Sequence, residues 1–372
     1  MKQENVIIVR LGEIYLKSEP VRRKMIQQLV FNIKASMGEV KGFNYQLKFI
    51  YPRIYIFASN SFSSEIIIRL RRIFGITSIS TAFQFDNYAS LQSFLSALPS
   101  SVIDKKQTFA VQSNRLDKDF PKTSSEINKE IGEIIIKSTK LKVDLDNPDI
   151  TFYIDYHQGQ FFLYWEKIDC YGGLPIGVSG KAVALLSSGF DSPVAIWLMM
   201  RRGLLVYPLH LEINKQAASL TRKIWQQLKI YAPGYNIELK IVPHQNFLQG
   251  IKERLHSKHQ EEYICLLCKR KMLREAEVYA KVIGAEAIIT GDSLGQVASQ
   301  TLSNLKTESS AVGLLILRPL VGKDKEEIIK ISREIGLYEL SAQGSRLQCP
   351  YLPQHAVRTK SATEEILSLI HI

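Results

Sequence analysis

The second half of the chain alternates short apolar runs with amphipathic segments. The apolar runs, which predict buried strands, occupy residues 182–187, 204–210, 237–242 and 287–290. The amphipathic segments, which predict helices, occupy residues 193–202, 218–231, 247–256, 269–283 and 325–335. Strands and helices that alternate in this way form a doubly wound parallel sheet. We therefore expect an α/β domain over residues 171–372.

The first half of the chain has a different order of elements. It predicts a strand, a helix, two strands and a helix at residues 6–11, 21–37, 45–50, 53–58 and 64–74. A strand, a capped helix and a hairpin follow at residues 109–112, 124–140 and 151–165. We expect one α+β domain over residues 1–75 and a second over residues 76–170. The glycine-rich segment 171–177 would join them to the α/β domain.

The composition adds an excess of positive charge to this picture. The 372 residues carry a formal net charge of +12, which suits a polyanionic partner but also a merely basic enzyme. No apolar run reaches the ~20 residues that span a bilayer. The first residues, Met1-Lys2-Gln3-Glu4-Asn5, show no secretory signal. We expect a cytoplasmic protein with no membrane partner.

A turn of small residues follows the first apolar run of the α/β domain. It reads Ser187-Ser188-Gly189-Phe190-Asp191-Ser192, and Pro193 then opens a predicted helix. A strand, such a turn and a helix N-terminus form a phosphate-binding arrangement, because the turn N–H groups and the helix dipole favour negative charge. No Gly-Lys-Ser/Thr follows, so the turn is not a Walker-type loop. An ordinary βα turn is the alternative interpretation.

Several segments taken together, in order, resemble one family. The turn resembles the PP-loop of ATP pyrophosphatases, with Ser188 in place of the first family glycine. The other segments lie at residues 12–17, 73–78, 120–124, 143–149, 172–175, 290–302 and 318–328. Together they resemble the tRNA 4-thiouridine synthetase (ThiI) family, the tRNA uracil 4-sulfurtransferases. The resemblance implies a ferredoxin-like domain at 1–75, an RNA-binding THUMP domain at 76–170 and a PP-loop adenylation domain at 171–372.

The resemblance also implies a reaction. A member of the family uses ATP to adenylate O4 of a tRNA uridine, at position 8, and replaces that oxygen with sulfur to give 4-thiouridine. The implied partners are ATP, Mg²⁺, tRNA and a sulfur donor, either sulfide or a persulfide-carrying protein. A homodimer and a role in thiamine synthesis follow from relatives. Two alternatives stay open: a PP-loop enzyme that makes another thiolated base, and a non-catalytic tRNA-binding relative.

Carried over residue by residue, the resemblance implies an ATP site and a catalytic Asp191 that holds Mg²⁺ or orders the turn. The residues expected to contact ATP are Leu185, Leu186, Ser187, Ser188, Gly189, Ser192, His210, Leu211, Lys269, Gly291 and Gln300. A core histidine at 210 and a solvated lysine at 269 are the alternatives. Clusters of basic residues in the first half, taken as a set, are expected to contact tRNA, although any one of them could be a solvated surface charge: Lys17, Arg22, Arg23, Lys24, Arg69, Arg71, Arg72, Arg115, Lys118 and Lys122.

Three of the four cysteines are candidates for sulfur chemistry. Cys349 lies near the family's nucleophilic cysteine, while Cys265 and Cys268 form a Cys-x-x-Cys pair that many members lack. Some archaeal members carry such a pair plus a distant cysteine, and these three hold an iron–sulfur cluster. By resemblance we expect that cluster on Cys265, Cys268 and Cys349 as catalytic and metal residues. It fits the expected lack of a rhodanese domain.

Three rival interpretations of these cysteines remain. Cys349 could carry a persulfide that Cys265 or Cys268 resolves as a disulfide. Zinc could bind the three cysteines and a histidine such as His355. The pair could also be structural and without a ligand. The fourth cysteine, Cys170, is expected to be a buried free thiol.

Overall fold

The computed structural model describes residues 6–58, 62–297, 299–353 and 358–370. The chain divides into two compact units. The first unit comprises the chain up to Tyr15, Ser36–Arg72 and Ile76–Gly172. The second comprises Leu16–Ala35, Ile73–Gly75 and the chain from Gly173 onward. In the described part of the chain, no helix combines the length and the hydropathy needed to cross a membrane.

The first unit is built on one mixed sheet, in the order β2-β3-β1-β4-β8-β7-β5-β6, with β9 paired to β4. The elements of residues 6–169 are β1 (Val6–Leu11), α1 (Glu19–Gly38), β2 (Tyr45–Ile50), β3 (Arg53–Ala58), α2 (Ser64–Arg71), β4 (Ile76–Phe85), α3 (Tyr88–Leu95), α4 (Ser100–Ile103), β5 (Thr108–Arg115), α5 (Ser124–Ser138), β6 (Lys142–Val143), β7 (Ile150–His157), β8 (Gln160–Tyr164) and β9 (Ile168–Asp169).

Strand β4 is the longest element of the first unit that the hydrophobic pattern missed; α3, α4, β6 and β9 were missed as well. Its sequence, ITSISTAFQF, contains too many hydroxyl groups to form an apolar run. It nevertheless pairs with β1 along its first part and with β8 through Phe83 and Phe85. Ser80 is fully buried there, and the guanidinium of Arg10 donates a 3.0 Å hydrogen bond to its hydroxyl. Arg10 of the neighbouring strand β1 therefore satisfies the hydroxyl of Ser80, which allows a polar side chain to lie inside the sheet.

The hairpin side of the first unit packs one face of its sheet against α5. The apolar core there includes Phe109, Phe152 and Ile131, all buried. Helix α5 begins at the predicted residue, but its cap is Thr123, not a serine after it. Thr123 and Glu126 form a capping box, in which each side chain accepts from the other's backbone N–H.

The second unit contains a five-stranded parallel sheet in the order β12-β11-β10-β13-β14. Its elements are β10 (Lys181–Leu185), α6 (Asp191–Arg201), β11 (Leu205–Glu212), α7 (Lys215–Leu228), β12 (Lys240–Pro243), α8 (Gln245–His256), α9 (Ile264–Ile283), β13 (Ala287–Ile289), α10 (Leu302–Ser309), β14 (Leu315–Leu317), α11 (Lys325–Glu334), α12 (Tyr338–Ser345) and α13 (Thr363–Ile370). The doubly wound parallel sheet expected from the pattern is therefore present.

The strand order changes direction between β10 and β13. Strand β10 lies at the centre of the sheet. The chain first adds β11 and β12 on one side of it, and later adds β13 and β14 on the other side. In open α/β sheets a crevice opens at such a switch point, beyond the carboxyl ends of the strands. The predicted phosphate-binding turn leaves the carboxyl end of β10, so the topology places it at this crevice.

Helix α1 contributes most of its length to the second unit. The buried Asn32 side chain donates a 3.2 Å hydrogen bond to the carbonyl of Ile176, and Gln28 donates to the Tyr235 hydroxyl at 2.9 Å. Phe31 packs edge-on against Tyr235. A helix that the sequence order assigns to the first domain thus has its partners in the glycine-rich connector and the α/β part of the chain.

Candidate functional site

A cavity of about 320 Å³ lies at the carboxyl ends of β10, β11 and β13. Ten of the predicted nucleotide or catalytic residues line it, together with Cys349: Leu185, Leu186, Ser187, Ser188, Asp191, Ser192, His210, Leu211, Lys269 and Gly291. Gly189, Gln300, Cys265 and Cys268 are not among its lining residues. Residues separated by more than 160 positions in the sequence therefore converge on one cleft.

The turn after β10 is held in shape by Ser192. The Ser192 hydroxyl accepts a 2.8 Å hydrogen bond from the Ser187 backbone N–H and lies 2.9 Å from the Ser187 hydroxyl. Helix α6 begins at Asp191, two residues before the predicted start, and no side chain caps it. Its first N–H groups have no intrahelical partner. The turn therefore presents donors and the positive end of a helix dipole, which suits a phosphate.

Two glycines let other segments approach this turn closely. A Cβ atom at Gly291 would lie 2.7 Å from the backbone nitrogen of Ser192. A Cβ at Gly344, on α12, would lie 2.0 Å from the carbonyl oxygen of Ser188. Neither distance is tolerable for a side chain, so both positions require glycine. Gly291 was predicted as a site residue, whereas Gly344, whose neighbour Ser188 is 156 residues away, was not.

Asp191 is fixed by two side chains from the second half of the domain. Its carboxylate accepts a 2.7 Å hydrogen bond from the ammonium group of Lys325 on α11 and a 3.2 Å bond from the Gln296 amide. Both partners lie in segments that carried the family resemblance, but neither was predicted as a site residue. These contacts fix the position of Asp191 itself, and its expected roles in holding Mg²⁺ or ordering the turn stay predictions.

Lys269 forms the centre of an ion network on the opposite wall. Its ammonium group lies 3.3 Å from Asp292 and 3.2 Å from Glu308, and Arg318 lies 3.2 Å from the second oxygen of Asp292. Thr290 donates a 2.7 Å hydrogen bond to that same oxygen. Lys269 is therefore held between two carboxylates at the cavity and does not point freely into solvent, which was the alternative.

The two carboxylates of this network differ in their pKa. Burial raises the pKa of Asp292, but Lys269, Thr290 and Arg318 outweigh it, and the net shift is downward. Burial dominates at Glu308 and raises its pKa to about 7. For Lys269, burial acts to lower the pKa, yet the two carboxylates raise it overall and keep the ammonium charged. Asp292 and Glu308 were not predicted as site residues.

His210 is buried at the end of β11, and one ring nitrogen is satisfied. Its Nδ1 lies 2.8 Å from the carbonyl oxygen of Leu186, to which it donates as the neutral Nδ1–H tautomer. Burial lowers the pKa of His210, which keeps the ring neutral. Nε2 has no hydrogen-bond partner among the described residues. His210 therefore differs from a core histidine with both ring nitrogens hydrogen-bonded, because its Nε2 remains open. A donor group on a ligand could form a hydrogen bond to that nitrogen.

Gln300 was predicted at the ATP site but lies outside the cavity lining. It is buried, and its side-chain oxygen has no hydrogen-bond partner within the described part of the chain. The Gln300 carbonyl accepts from the backbone N–H of Gly295, and its N–H donates to Val297, so its backbone organises the loop before α10.

Cys265 and Cys268 lie within helix α9, which begins at Ile264, not at the predicted residue 269. Residues three apart share one face of a helix. Both pack, with Cys349, against a single apolar cluster that includes Leu267 and Tyr351. Burial raises the pKa of Cys268 to about 12 and also raises that of Cys265, and the proximity of Cys349 adds to both shifts. The three thiols thus share one apolar environment.

A histidine that the sequence did not indicate lies beside this pair. Nε2 of the buried His244 is 3.3 Å from the sulfur of Cys268, and Cys268 in turn contacts the sulfur of Met272 at 3.8 Å. Burial and the neighbouring Lys271 lower the pKa of His244 to about 4, so the ring is neutral. His355, the histidine named for a zinc site, lies outside the described residues.

No group of three or more His, Cys, Asp or Glu side chains is arranged to hold a metal ion in the ranges that the structure describes. All four cysteines are free thiols and partly exposed. Cys170, in the first unit, has its pKa raised to about 12 by burial. It is a free thiol, as expected, but it is only partly buried, whereas the prediction was a buried one.

Three protein families match successive parts of this chain. The family described as the thiamine biosynthesis protein ThiI matches residues 177–370. A ThiI ferredoxin-like domain matches residues 6–80, and a THUMP domain matches residues 87–166. These matches confirm the fold class that the sequence predicted, with ferredoxin-like and THUMP domains before an α/β domain.

Relatives of full length are similar along nearly the whole chain. A probable tRNA sulfurtransferase of Methanocaldococcus jannaschii is 38% identical over 366 residues, which cover 97% of this chain and 95% of the relative. One from Thermococcus kodakarensis is 39% identical over 360 residues, with 95% and 93% covered.

Two solved structures are also similar. A 4-thiouridine synthetase in complex with RNA and bound ATP superposes with a TM-score of 0.89 at 31% identity, covering 99% of this chain and 94% of that one. PH1313 from Pyrococcus horikoshii superposes with a TM-score of 0.71 at 26% identity, covering 90% and 100%. The chain therefore belongs to the ThiI family.

Proposed function

We propose that this member of the ThiI family is an ATP-dependent tRNA sulfurtransferase that converts a tRNA uridine into 4-thiouridine. The observation that carries the proposal is the single cavity that brings the phosphate-binding turn, Lys269 and Cys349 together. An enzyme of this kind needs a nucleotide, an activated base and a sulfur atom at one place. The position in tRNA, position 8, comes from the family resemblance alone.

The nucleotide would lie across the carboxyl ends of β10 and β11. The phosphates would occupy the turn formed by Ser187, Ser188, Gly189 and Ser192, with Lys269 opposite as a counter-charge. Adenosine would contact the apolar wall of Leu185, Leu186 and Leu211, where the unpaired Nε2 of His210 accepts a hydrogen bond. Gly291 would let the segment after β13 pack directly against the start of α6, and Gln300 would act through the loop that its backbone organises.

Mg²⁺ would bind between the phosphates and Asp191. The donor chemistry fits, because Mg²⁺ in nucleotide sites takes one or two carboxylates together with phosphate oxygens. The bound ion would neutralise charge on the departing pyrophosphate. Asp191 itself is held in place by Lys325 and Gln296, so its carboxylate is oriented before any ligand arrives.

Adenylation solves the main chemical problem of the reaction. The O4 oxygen of uracil is a poor leaving group, and transfer of AMP to it makes a good one. A sulfur nucleophile can then attack C4, and AMP leaves with the oxygen. The turn and Lys269 stabilise the negative charge that develops as pyrophosphate departs.

We propose that Cys265, Cys268 and Cys349 handle the sulfur and together hold an iron–sulfur cluster. The chemistry of the donors fits, since thiols are the ligands that such clusters use. The three cysteines pack against one apolar cluster but are not gathered into a metal-binding group in the described structure, so binding would require their sulfur atoms to move closer together. A bound cluster would supply an open iron that takes up sulfide. The chain's own part is to surround these thiols with apolar side chains and to present Cys349 at the cavity wall. The position of Cys349 at the cavity wall also suits a persulfide on its sulfur, and this remains the alternative to the cluster.

We further propose domain boundaries at 75/76 and 170/171, with tRNA bound by the first two domains. The RNA in the similar 4-thiouridine synthetase complex supports a nucleic-acid partner. Sulfide or a persulfide-carrying protein as donor, a homodimer, a cytoplasmic location and a role in thiamine synthesis rest on family resemblance.

The test is reconstitution with a tRNA transcript, ATP, Mg²⁺ and sulfide, followed by nucleoside mass spectrometry. We expect one 4-thiouridine per tRNA, with AMP and pyrophosphate formed in equal amounts. An ATP analogue with a non-cleavable α–β bridge should support no product. ADP in place of AMP, or sulfur at another position of the base, would contradict the proposal.

A further inference from the structure

Glu308 is the most unusual charged residue of the cavity. It lies on α10, is 1% exposed, and lines the cavity beside Lys269. Apart from the Lys269 ion pair at 3.2 Å, its Oε1 oxygen has no hydrogen-bond partner among the described residues. A carboxylate buried with so few partners costs stability. Such a group is expected where it performs a function.

The chemistry of adenylation requires a group that accepts a proton. When O4 of uracil attacks the α-phosphorus, the bond from that phosphorus to the pyrophosphate oxygen breaks. The ring electrons shift so that N3 and C4 become doubly bonded. The hydrogen on N3 must then leave as a proton, because the O-adenylated ring would otherwise carry a positive charge. A base beside N3 lowers the barrier to this step.

The other titratable groups of the cavity are less suited to this role. Asp191 is paired with Lys325 at the phosphate turn, and Asp292 has its pKa lowered by Lys269, Thr290 and Arg318. His210 donates through Nδ1 to the Leu186 carbonyl, and its open Nε2 lies on the wall that the proposed function assigns to adenosine. Glu308 has a pKa raised to about 7 by burial, which is near the value that suits a general base at neutral pH.

We propose that Glu308 is the catalytic base that takes the N3 proton of the target uracil during adenylation. The proposal rests on the proposed function, since it needs uracil O4 as the nucleophile. The N3–H electron pair becomes the N3–C4 double bond, the proton moves to the Glu308 carboxylate, and pyrophosphate leaves. No oxidant or reductant takes part in this step.

The groups that face Glu308 set how it responds to pH. Helix α9 contributes Lys269 and Arg270, and the segments after β13 and β14 contribute Asp292 and Arg318. Cys265 and Cys268 are also close enough for Glu308 to raise their pKa values. Glu308 forms an ion pair with Lys269, which is a proposed contact of ATP. If Glu308 only held Lys269 in place, its replacement would weaken ATP binding and would not slow the chemical step. An experiment must therefore measure chemistry and ATP affinity separately.

The experiment uses the full chain, a tRNA transcript and ATP without a sulfur source, and follows pyrophosphate formation in a single turnover. We expect Glu308→Gln to slow this step by about 10²- to 10⁴-fold and to change ATP affinity by no more than about threefold. Glu308→Asp should recover part of the rate. The matched control is Glu339→Gln, which changes an exposed carboxylate of the same unit and should behave like the wild type.

A second transcript separates a base from a structural residue. Fluorine at C5 of uracil withdraws electrons and makes N3–H more acidic, so 5-fluorouridine tRNA should need the base less. The defect of Glu308→Gln should then shrink by at least about tenfold. The wild-type rate should rise as pH rises through about 7, where Glu308 becomes deprotonated, and the variant should lose this rise.

The outcomes are distinguishable. A variant that forms pyrophosphate at the wild-type rate overturns the base assignment and leaves the proposed function intact. A defect that lies in ATP affinity and does not respond to 5-fluorouridine overturns it in favour of positioning Lys269. If the wild-type protein forms no pyrophosphate with tRNA, the proposed function fails and the base assignment fails with it.

Discussion

The cavity has two ends that differ in how they treat charge. At the phosphate end, Ser192 braces the turn and Lys325 neutralises Asp191. At the cysteine end, Cys349 meets an apolar cluster in which burial raises the pKa values of Cys265 and Cys268. One end is prepared for a polyanion, and the other surrounds its thiols with apolar side chains. We infer that activation of the base and delivery of sulfur use separate machinery on the two sides of one cleft.

The largest expected effect comes from breaking the phosphate end. Asp191→Ala should remove the carboxylate beside the turn and leave Lys325 without its partner. We expect pyrophosphate formation and thiolation to fall by at least about 10³-fold, while tRNA affinity stays within about twofold. Single-turnover assays and filter binding measure the two quantities. Normal turnover in this variant would refute the PP-loop assignment.

Breaking the cysteine end should leave the phosphate end working. Serine at 265, 268 or 349 should abolish sulfur transfer, yet each variant should still form pyrophosphate with tRNA, because the nucleotide contacts come from other residues. Cys170→Ser, in the other unit, is the control and should retain full activity. If the serine variants also failed to form pyrophosphate, adenylation would depend on the cysteines, and the two reactions would not use separate residues.

Iron content then decides between the two sulfur routes. If a cluster carries the sulfur, each of the three serine variants should lose iron and activity together, even with sulfide and reductant supplied. If Cys349 carries a persulfide, iron-free protein should be active and mass spectrometry should find the extra sulfur on Cys349. Anaerobic purification followed by absorption spectroscopy and iron assay is the measurement.

A substitution that adds bulk but leaves every charge in place tests the packing of α12 against the phosphate-binding turn. Gly344→Ala would place a methyl group 2.0 Å from the Ser188 carbonyl oxygen, so α12 or the turn must shift. We expect about 1–3 kcal/mol of destabilisation and roughly 10-fold weaker ATP affinity. The control is Gly250→Ala on α8, where nothing lies within 4 Å of the added atom. Chemical denaturation and ATP titration test both variants, and equal behaviour would contradict the close approach.

The smallest expected effect concerns the basic residues predicted to contact tRNA. Arg115 donates to two backbone carbonyls and Lys122 pairs with Glu130, so both have structural partners, whereas Lys118 is exposed. Lys118→Ala should weaken tRNA binding a few-fold and reduce the salt slope by about one, with no change in stability. Arg115→Ala should lower stability instead. An unchanged salt slope for Lys118→Ala would exclude it as a phosphate contact.

The elements were largely predictable because their signals are local. Strands β1, β2 and β3 match their predicted bounds, since short apolar stretches flanked by polar residues define them. The predicted start of helix α9 lay five residues too late. The run Ile264-Cys265-Leu266-Leu267-Cys268 is apolar throughout and shows no amphipathic pattern that would indicate a helix. That run becomes helix because its side chains pack against Leu248 and Tyr351 from elsewhere in the chain.

By itself, the sequence determined the family, the alternation of strands and helices, and the turn at residues 187–192. These depend on residues that are neighbours in the chain. Only the tertiary structure decided that Lys325 holds Asp191 and that His244 meets Cys268. It also decided that Glu308 faces Lys269 in a buried site. Such pairs join residues 24 to 134 positions apart, and their electrostatics depend on burial, which no local pattern of side chains encodes.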